Sequence, residues 1–142
     1  MKRSDLPDLI SFLLILMFSY AAISKLSDID TYKLEMIRQP FPGWSINTLI
    51  IIIPLAELTT VISLLFKITR TFGYYSATVL MLIFTGYVGL AMTGAFGKVP
   101  CSCGGIISKL NWQQHFIFNL LFLSVSIYGL LIDLKERRFI GK

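Results

Sequence analysis

The chain has 142 residues, 55 % hydrophobic and 15 % charged, with a mean hydropathy of +0.72 and a formal net charge of +5. A soluble domain of this length leaves too much of its surface exposed to hide that apolar area, which argues against a water-soluble fold and makes lipid part of the solvent. The positive charge calls for no nucleic acid, because a basic rim facing anionic lipid accounts for it.

Four runs reach the roughly 20 apolar residues a helix needs to cross a bilayer. They are Leu9 to Leu26, Ile46 to Phe66, Phe72 to Phe96 and His115 to Leu134. Little is left for a separate soluble unit, so the expected fold is an all-α membrane protein, a four-transmembrane-helix bundle forming one domain over residues 1–142. Lys2 and Arg3 before the first run, and Ser19-Tyr20-Ala21 within it, resemble a signal peptide. Asp5 and Asp8 are foreign to a signal n-region, so the run reads as a retained span.

Between the first two runs, Ser27 and Asp30 form a capping pair, and Ile29, Tyr32, Met36 and Ile37 fall near helical spacing. Pro40, Pro42 and Gly43 end that segment. The pattern predicts a short interfacial helix, with Phe41 and Trp44 at headgroup level. The next connection, "KITRT", is short enough to make its flanking helices antiparallel neighbours. In the third run "TGYVGLAMTG" supplies Gly86, Gly89, Ala91 and Gly94, small residues that let helices approach closely.

Lysine and arginine favour the cytoplasmic side of short loops. Lys2, Arg3, Lys67, Arg70, Lys135, Arg137, Arg138 and Lys142 fall at the two termini and the middle loop; Lys25, Lys33, Arg38, Lys98 and Lys109 fall in the other two loops. That bias predicts cytoplasmic termini and an outer location for residues 97–112.

Glu57 stands near the middle of the second run, where a carboxylate costs roughly 2.5 to 3.5 kcal/mol on insertion scales and so turns toward the bundle interior. Two roles fit it, a hydrogen-bonded lock between helices and a part in proton handling or ligand binding. Pro54, one turn earlier, removes a backbone donor. Counting inward at 1.5 Å per residue puts Tyr20, Tyr87 and Asn119 roughly 10 to 12 Å deep and Glu57 roughly 16 Å deep. Each span thus gives one polar residue to a layer in the outer half. Trp112, His115 and Asn119 share one helix face. Lys25, at the outer end of the first span, reaches Glu57 only by turning inward, and no direct pair is expected.

The segment "VPCSCGGIISKLNWQQHFIFN" holds both cysteines and the single histidine. A Cys101–Cys103 bond closes a very small ring, strained and easily reduced, and it stabilises little by loop closure. Pro100 and Gly104-Gly105 favour an exposed turn open to another protein's thiol. Three readings fit: a redox-active thiol pair supported by His115, an inert pair in a docking turn, and a soft-metal site, as for Cu(I), formed by Cys101, Cys103 and His115.

Four spans, "FSYAAISKL", "PLAEL", and an outer "PCSCGG" followed by "NWQQHFIFN" resemble the MauE branch of the DoxX-like membrane proteins. The resemblance covers nearly the whole chain, and the cysteine, glycine and histidine set is its more specific part. It implies a protein of the bacterial inner membrane acting with a periplasmic thioredoxin-like partner, in a family tied to maturing the disulfide-rich small subunit of methylamine dehydrogenase. Only Cys101 and Cys103 carry over as redox residues, with His115 and Glu57 as looser matches.

The resulting expectation is a thiol–disulfide oxidoreductase component. Cys101 and Cys103 exchange with the partner, His115 handles a proton, and Glu57, Asn119, Tyr20 and Tyr87 line a cavity for membrane quinone. The alternative is a non-enzymatic membrane subunit that docks partners through its outer loops. A transporter fits less well, since the chain shows no internal repeat.

Overall fold

The computed structural model describes residues 6–95 and 111–140, without the side chains at 112, 139 and 140. Five helices follow in chain order: α1 Leu6–Ser27, α2 Ile29–Ile37, α3 Gly43–Leu65, α4 Arg70–Met92 and α5 Trp112–Ile140. No strand occurs among the described residues. The four long helices offer apolar stretches of 22, 23, 23 and, over Gln113–Arg138, 26 residues. At 1.5 Å per residue these span about 33 to 39 Å, enough for a hydrocarbon core of about 30 Å. Their outward faces are apolar and exposed: Phe12 and Ile23 on α1, Ile51 and Leu55 on α3, Val79 and Ile83 on α4, Ile117 and Leu121 on α5. The protein is therefore a multi-pass membrane protein with lipid around its helices.

Local chemistry sets the helix ends. α4 stops at Met92, short of the expected Phe96, because Gly94 turns to φ +75°, a left-handed conformation that glycine adopts without strain. α5 begins ahead of the expected His115. The Asn111 side chain accepts from the Gln114 N–H at 2.8 Å, while the Gln114 side chain accepts from the Asn111 N–H at 3.2 Å, a reciprocal capping box. The α2 cap falls one residue later than expected. Asp28 accepts from the Thr31 N–H at 3.1 Å, whereas the Ser27 hydroxyl donates back to the Ile23 carbonyl at 2.8 Å and stays with α1. Pro54 lies buried inside an unbroken α3.

One end of the bundle is tied by polar contacts. Arg70 pairs with Asp8 at 2.6 Å, Thr71 donates to Asp133, and Arg137 reaches the Lys67 carbonyl at 2.7 Å. These join the start of α1, the α3–α4 turn and the end of α5. Just inside, the Tyr74 hydroxyl donates to the Pro7 carbonyl and is bonded to Ser11, both at 2.8 Å. Gly129 packs so close to Tyr74 and Ile10 that a Cβ there would collide, and a Cβ at Gly73 would meet Leu64 at 2.8 Å. The small residues expected to pack α4 behave differently: a Cβ at Gly89 would touch Phe116 at 3.3 Å, Gly86 faces open space, and Gly94 serves the turn. Leu14, Phe18, Leu64, Tyr74, Ala77 and Met81 form the core. At the opposite end α2 packs through Tyr32 and Met36 against Ile50 of α3. Both flanks of segment 96–110, the end of α4 and the start of α5, emerge at this α2 end.

Candidate functional site

All five helices contribute to a cavity of about 340 Å³ beneath α2. Its walls are largely apolar, with Met17 and Phe18 from α1, Ile53 from α3 and Phe84 from α4. Into this greasy surround the fold brings an ion pair. The Lys25 ammonium donates to Glu57 Oε1 at 2.8 Å and to the Ala21 carbonyl at 3.1 Å; Lys25 is 7 % exposed and Glu57 0 %.

This pair corrects the expectation that Lys25 and Glu57 do not meet. In a helix each Cα–Cβ bond tilts toward the N-terminus. α1 runs toward the α2 end, so the Lys25 side chain points back down into the bundle. α3 runs away from that end, so Glu57 points up. The two opposed tilts close a gap that counting residues along separate helices leaves open.

His115 and Asn119, four apart on α5, are 2 % and 3 % exposed and line the same cavity. Tyr87 lines it as well: its hydroxyl donates to Gln39, and its ring stacks on Phe41 with centroids 5.5 Å apart. The segment joining α2 to α3 is thereby clasped onto α4. Tyr20 does not join this group. It is 37 % exposed on α1 and is not a cavity residue. Cys101 and Cys103 lie outside the described residues, as does the Trp112 side chain, so the thiol and soft-metal readings fall there. Among the described residues no three histidine, cysteine or acidic side chains cluster as metal ligands.

Two atoms of the site have no hydrogen-bond partner among the described residues: Glu57 Oε2, an acceptor, and Asn119 Nδ2, a donor. Near the mouth, hydrogen bonds from the Thr31 side chain and N–H hold the Asp28 carboxyl below its usual range. Burial pushes the Glu35 carboxyl up, against the opposing pull of Arg38.

The sequence pattern places Tyr20, Tyr87, Asn119 and Glu57 in one layer, with His115 on the face leading to it; the structure gathers all of these but Tyr20, and adds Lys25 and Gln39, which the pattern does not place there. Lys25 carries a usable signal, since it continues the Met17, Phe18 and Ala21 face of α1. Gln39 sits in a connection with no periodicity to place it.

No curated protein and no solved structure matches the chain. A family model described as methylamine utilisation protein MauE matches residues 3–132, nearly the whole length, with the first three spans and most of the fourth. The chain is thus a member of the MauE family, membrane proteins linked to methylamine utilisation.

Proposed function

We propose that this protein is a redox-associated component of the inner membrane, exchanging thiols and disulfides with a periplasmic thioredoxin-like partner during protein maturation. Cys101 and Cys103 carry the exchange. Oxidising the two thiols to a disulfide releases two electrons and two protons, and membrane quinone, becoming quinol, takes up both. His115 handles a proton beside the chamber. The basic end faces the cytoplasm, because Lys67, Arg70, Lys135, Arg137 and Arg138 gather there.

The observation that carries this reading is the chamber itself. It lies at the end from which the cysteine segment leaves α4 and enters α5, and it sets a charged pair, a histidine and an amide in an apolar cavity. A helix lock needs the ion pair alone; a ligand-sized space beside it suits a site of chemistry.

The test is the thiol state of Cys101 and Cys103 in native membranes, read by maleimide gel shift after acid quenching. The expected result is a reversible two-thiol transition, and in Cys101→Ser or Cys103→Ser a trapped mixed disulfide with a small periplasmic protein. Thiols that stay free under all redox conditions, with normal function in both variants, would overturn the reading in favour of a non-enzymatic docking subunit.

A further inference from the structure

The chamber has two properties that thiol exchange does not use. One is a thin side wall. Ile52 of α3 and Ile83 of α4 both line the cavity, yet they are 52 % and 58 % exposed on the lipid-facing surface. At these two residues only one layer of side chains, beneath the Phe41–Tyr87 clasp, stands between the cavity and the bilayer. The other is an unmet demand for hydrogen bonds. Glu57 Oε2 needs a donor and Asn119 Nδ2 needs an acceptor; both belong to residues at least 97 % buried. Native interiors rarely leave such groups unmatched, because low local polarity makes an unpaired polar atom costly.

We propose that the chamber binds a lipid-soluble phenol of the quinol class, admitted between α3 and α4, with one hydroxyl donating to Glu57 Oε2 and accepting from Asn119 Nδ2. This deepens the reading above, on whose quinone acceptor it rests, by choosing the redox form. A hydroxyl has one proton to donate and lone pairs that accept, so a single group meets both demands. An oxidised quinone carries only acceptors. It can take a bond from Asn119, but it leaves the Glu57 carboxylate oxygen unmatched. The apolar body lies among Phe18, Ile53 and Phe84, and the tail leaves past Ile52 and Ile83. A site that holds the reduced ring more tightly than the oxidised one raises the potential of the bound ring, so a bound quinone is the more readily reduced by the thiols.

The experiment separates this proposal from thiol exchange. Full-length protein carrying Cys101→Ser and Cys103→Ser, reconstituted in lipid nanodiscs, is titrated anaerobically with radiolabelled decyl-benzoquinol and decyl-benzoquinone. Empty nanodiscs correct for partitioning, which the shared tail makes similar. The expected result is saturable binding of the quinol at one site per chain, about tenfold tighter than the quinone, from one charge-assisted hydrogen bond. Glu57→Gln should shrink that preference to about threefold or less, since the acceptor loses its charge. Ile83→Trp, on the lipid-facing surface, should slow association without touching the polar pair. Equal affinity for both forms, no binding above empty nanodiscs, or a preference unchanged in Glu57→Gln would overturn the proposal. A trapped mixed disulfide with no quinol binding would remove this inference and leave the exchange role standing; quinol binding without exchange would do the reverse.

Discussion

The Lys25–Glu57 pair makes a quantitative prediction. At 2.8 Å and an effective dielectric of about 20, Coulomb attraction is worth about 6 kcal/mol. Desolvating the two ions costs several kcal/mol each, so the intact pair contributes little net stability. Breaking it is another matter, because the survivor stays buried. Lys25→Met leaves the Glu57 carboxylate alone at 0 % exposure, and Glu57→Leu leaves an ammonium in an apolar chamber. Each single change should cost about 3 to 5 kcal/mol, whereas the double change, which keeps the volume and removes both charges, should fall within about 2 kcal/mol of the parent. The assay is a double-mutant cycle on reversible unfolding in mixed micelles. The coupling energy should exceed about 3 kcal/mol, beyond the usual range for neighbouring residues. A double variant as unstable as the sum of the singles would refute the reasoning, showing that the two side chains act independently.

Three further outcomes follow from the packing and the caps. Gly129→Ala inserts a methyl against Tyr74 and Ile10, and should cost about 1 to 3 kcal/mol in the same assay, while Gly86→Ala in open space should not destabilise. Asn111→Ala removes half of the α5 capping box; a loss of about 0.5 to 2 kcal/mol should appear as faster hydrogen exchange in the first turn of α5. Folding raises the Glu35 carboxyl above its unfolded value, so its charged form is penalised in the folded state. That penalty is absent below the unfolded value of about 4.5 and complete above the folded one, so Glu35→Gln should slow exchange in α2 at pH 7 and change nothing below about pH 4.

Lipid makes the helices of such a chain legible. Apolar length is the signal, and it located the spans to within a few residues at every end but one: α5 runs on to Ile140, six residues past the expected Leu134, through the charged stretch Lys135–Arg138 that hydropathy does not read as helix. Gly94 cut α4 short of Phe96, and the Asn111–Gln114 box started α5 three residues early. Neither boundary is set by hydropathy, because both depend on side chains satisfying backbone groups at a helix end. The polar layer was legible for the same reason that it is rare: Glu57 and Asn119 stand out against lipid-soluble neighbours. Their partners were harder to find. Lys25 sits at the end of its span and reads as a snorkelling residue, and only the opposed tilts of α1 and α3 turn it inward. Gln39 joins Tyr87 through a tertiary contact across 48 residues, which no local pattern announces.

The chamber follows from where the small residues lie. Helices in lipid have no hydrophobic effect to draw them together, so close approach depends on small side chains and interhelical hydrogen bonds. The tightest of these approaches lie toward the basic end. Gly129 admits Tyr74 and Ile10, Gly73 admits Leu64, and Thr60 bonds Ser76 across α3 and α4 at 2.6 Å. Toward the other end the facing positions become long or bulky: Leu49, Ile52 and Ile53 on α3, and Leu80, Phe84 and Tyr87 on α4. Between these side chains and those of α1 and α5 the cavity remains. The α2 segment covers that space from above, and the Tyr87 clasp fixes it there. The ligand-sized hollow thus lies at the end where α4 stops and α5 begins.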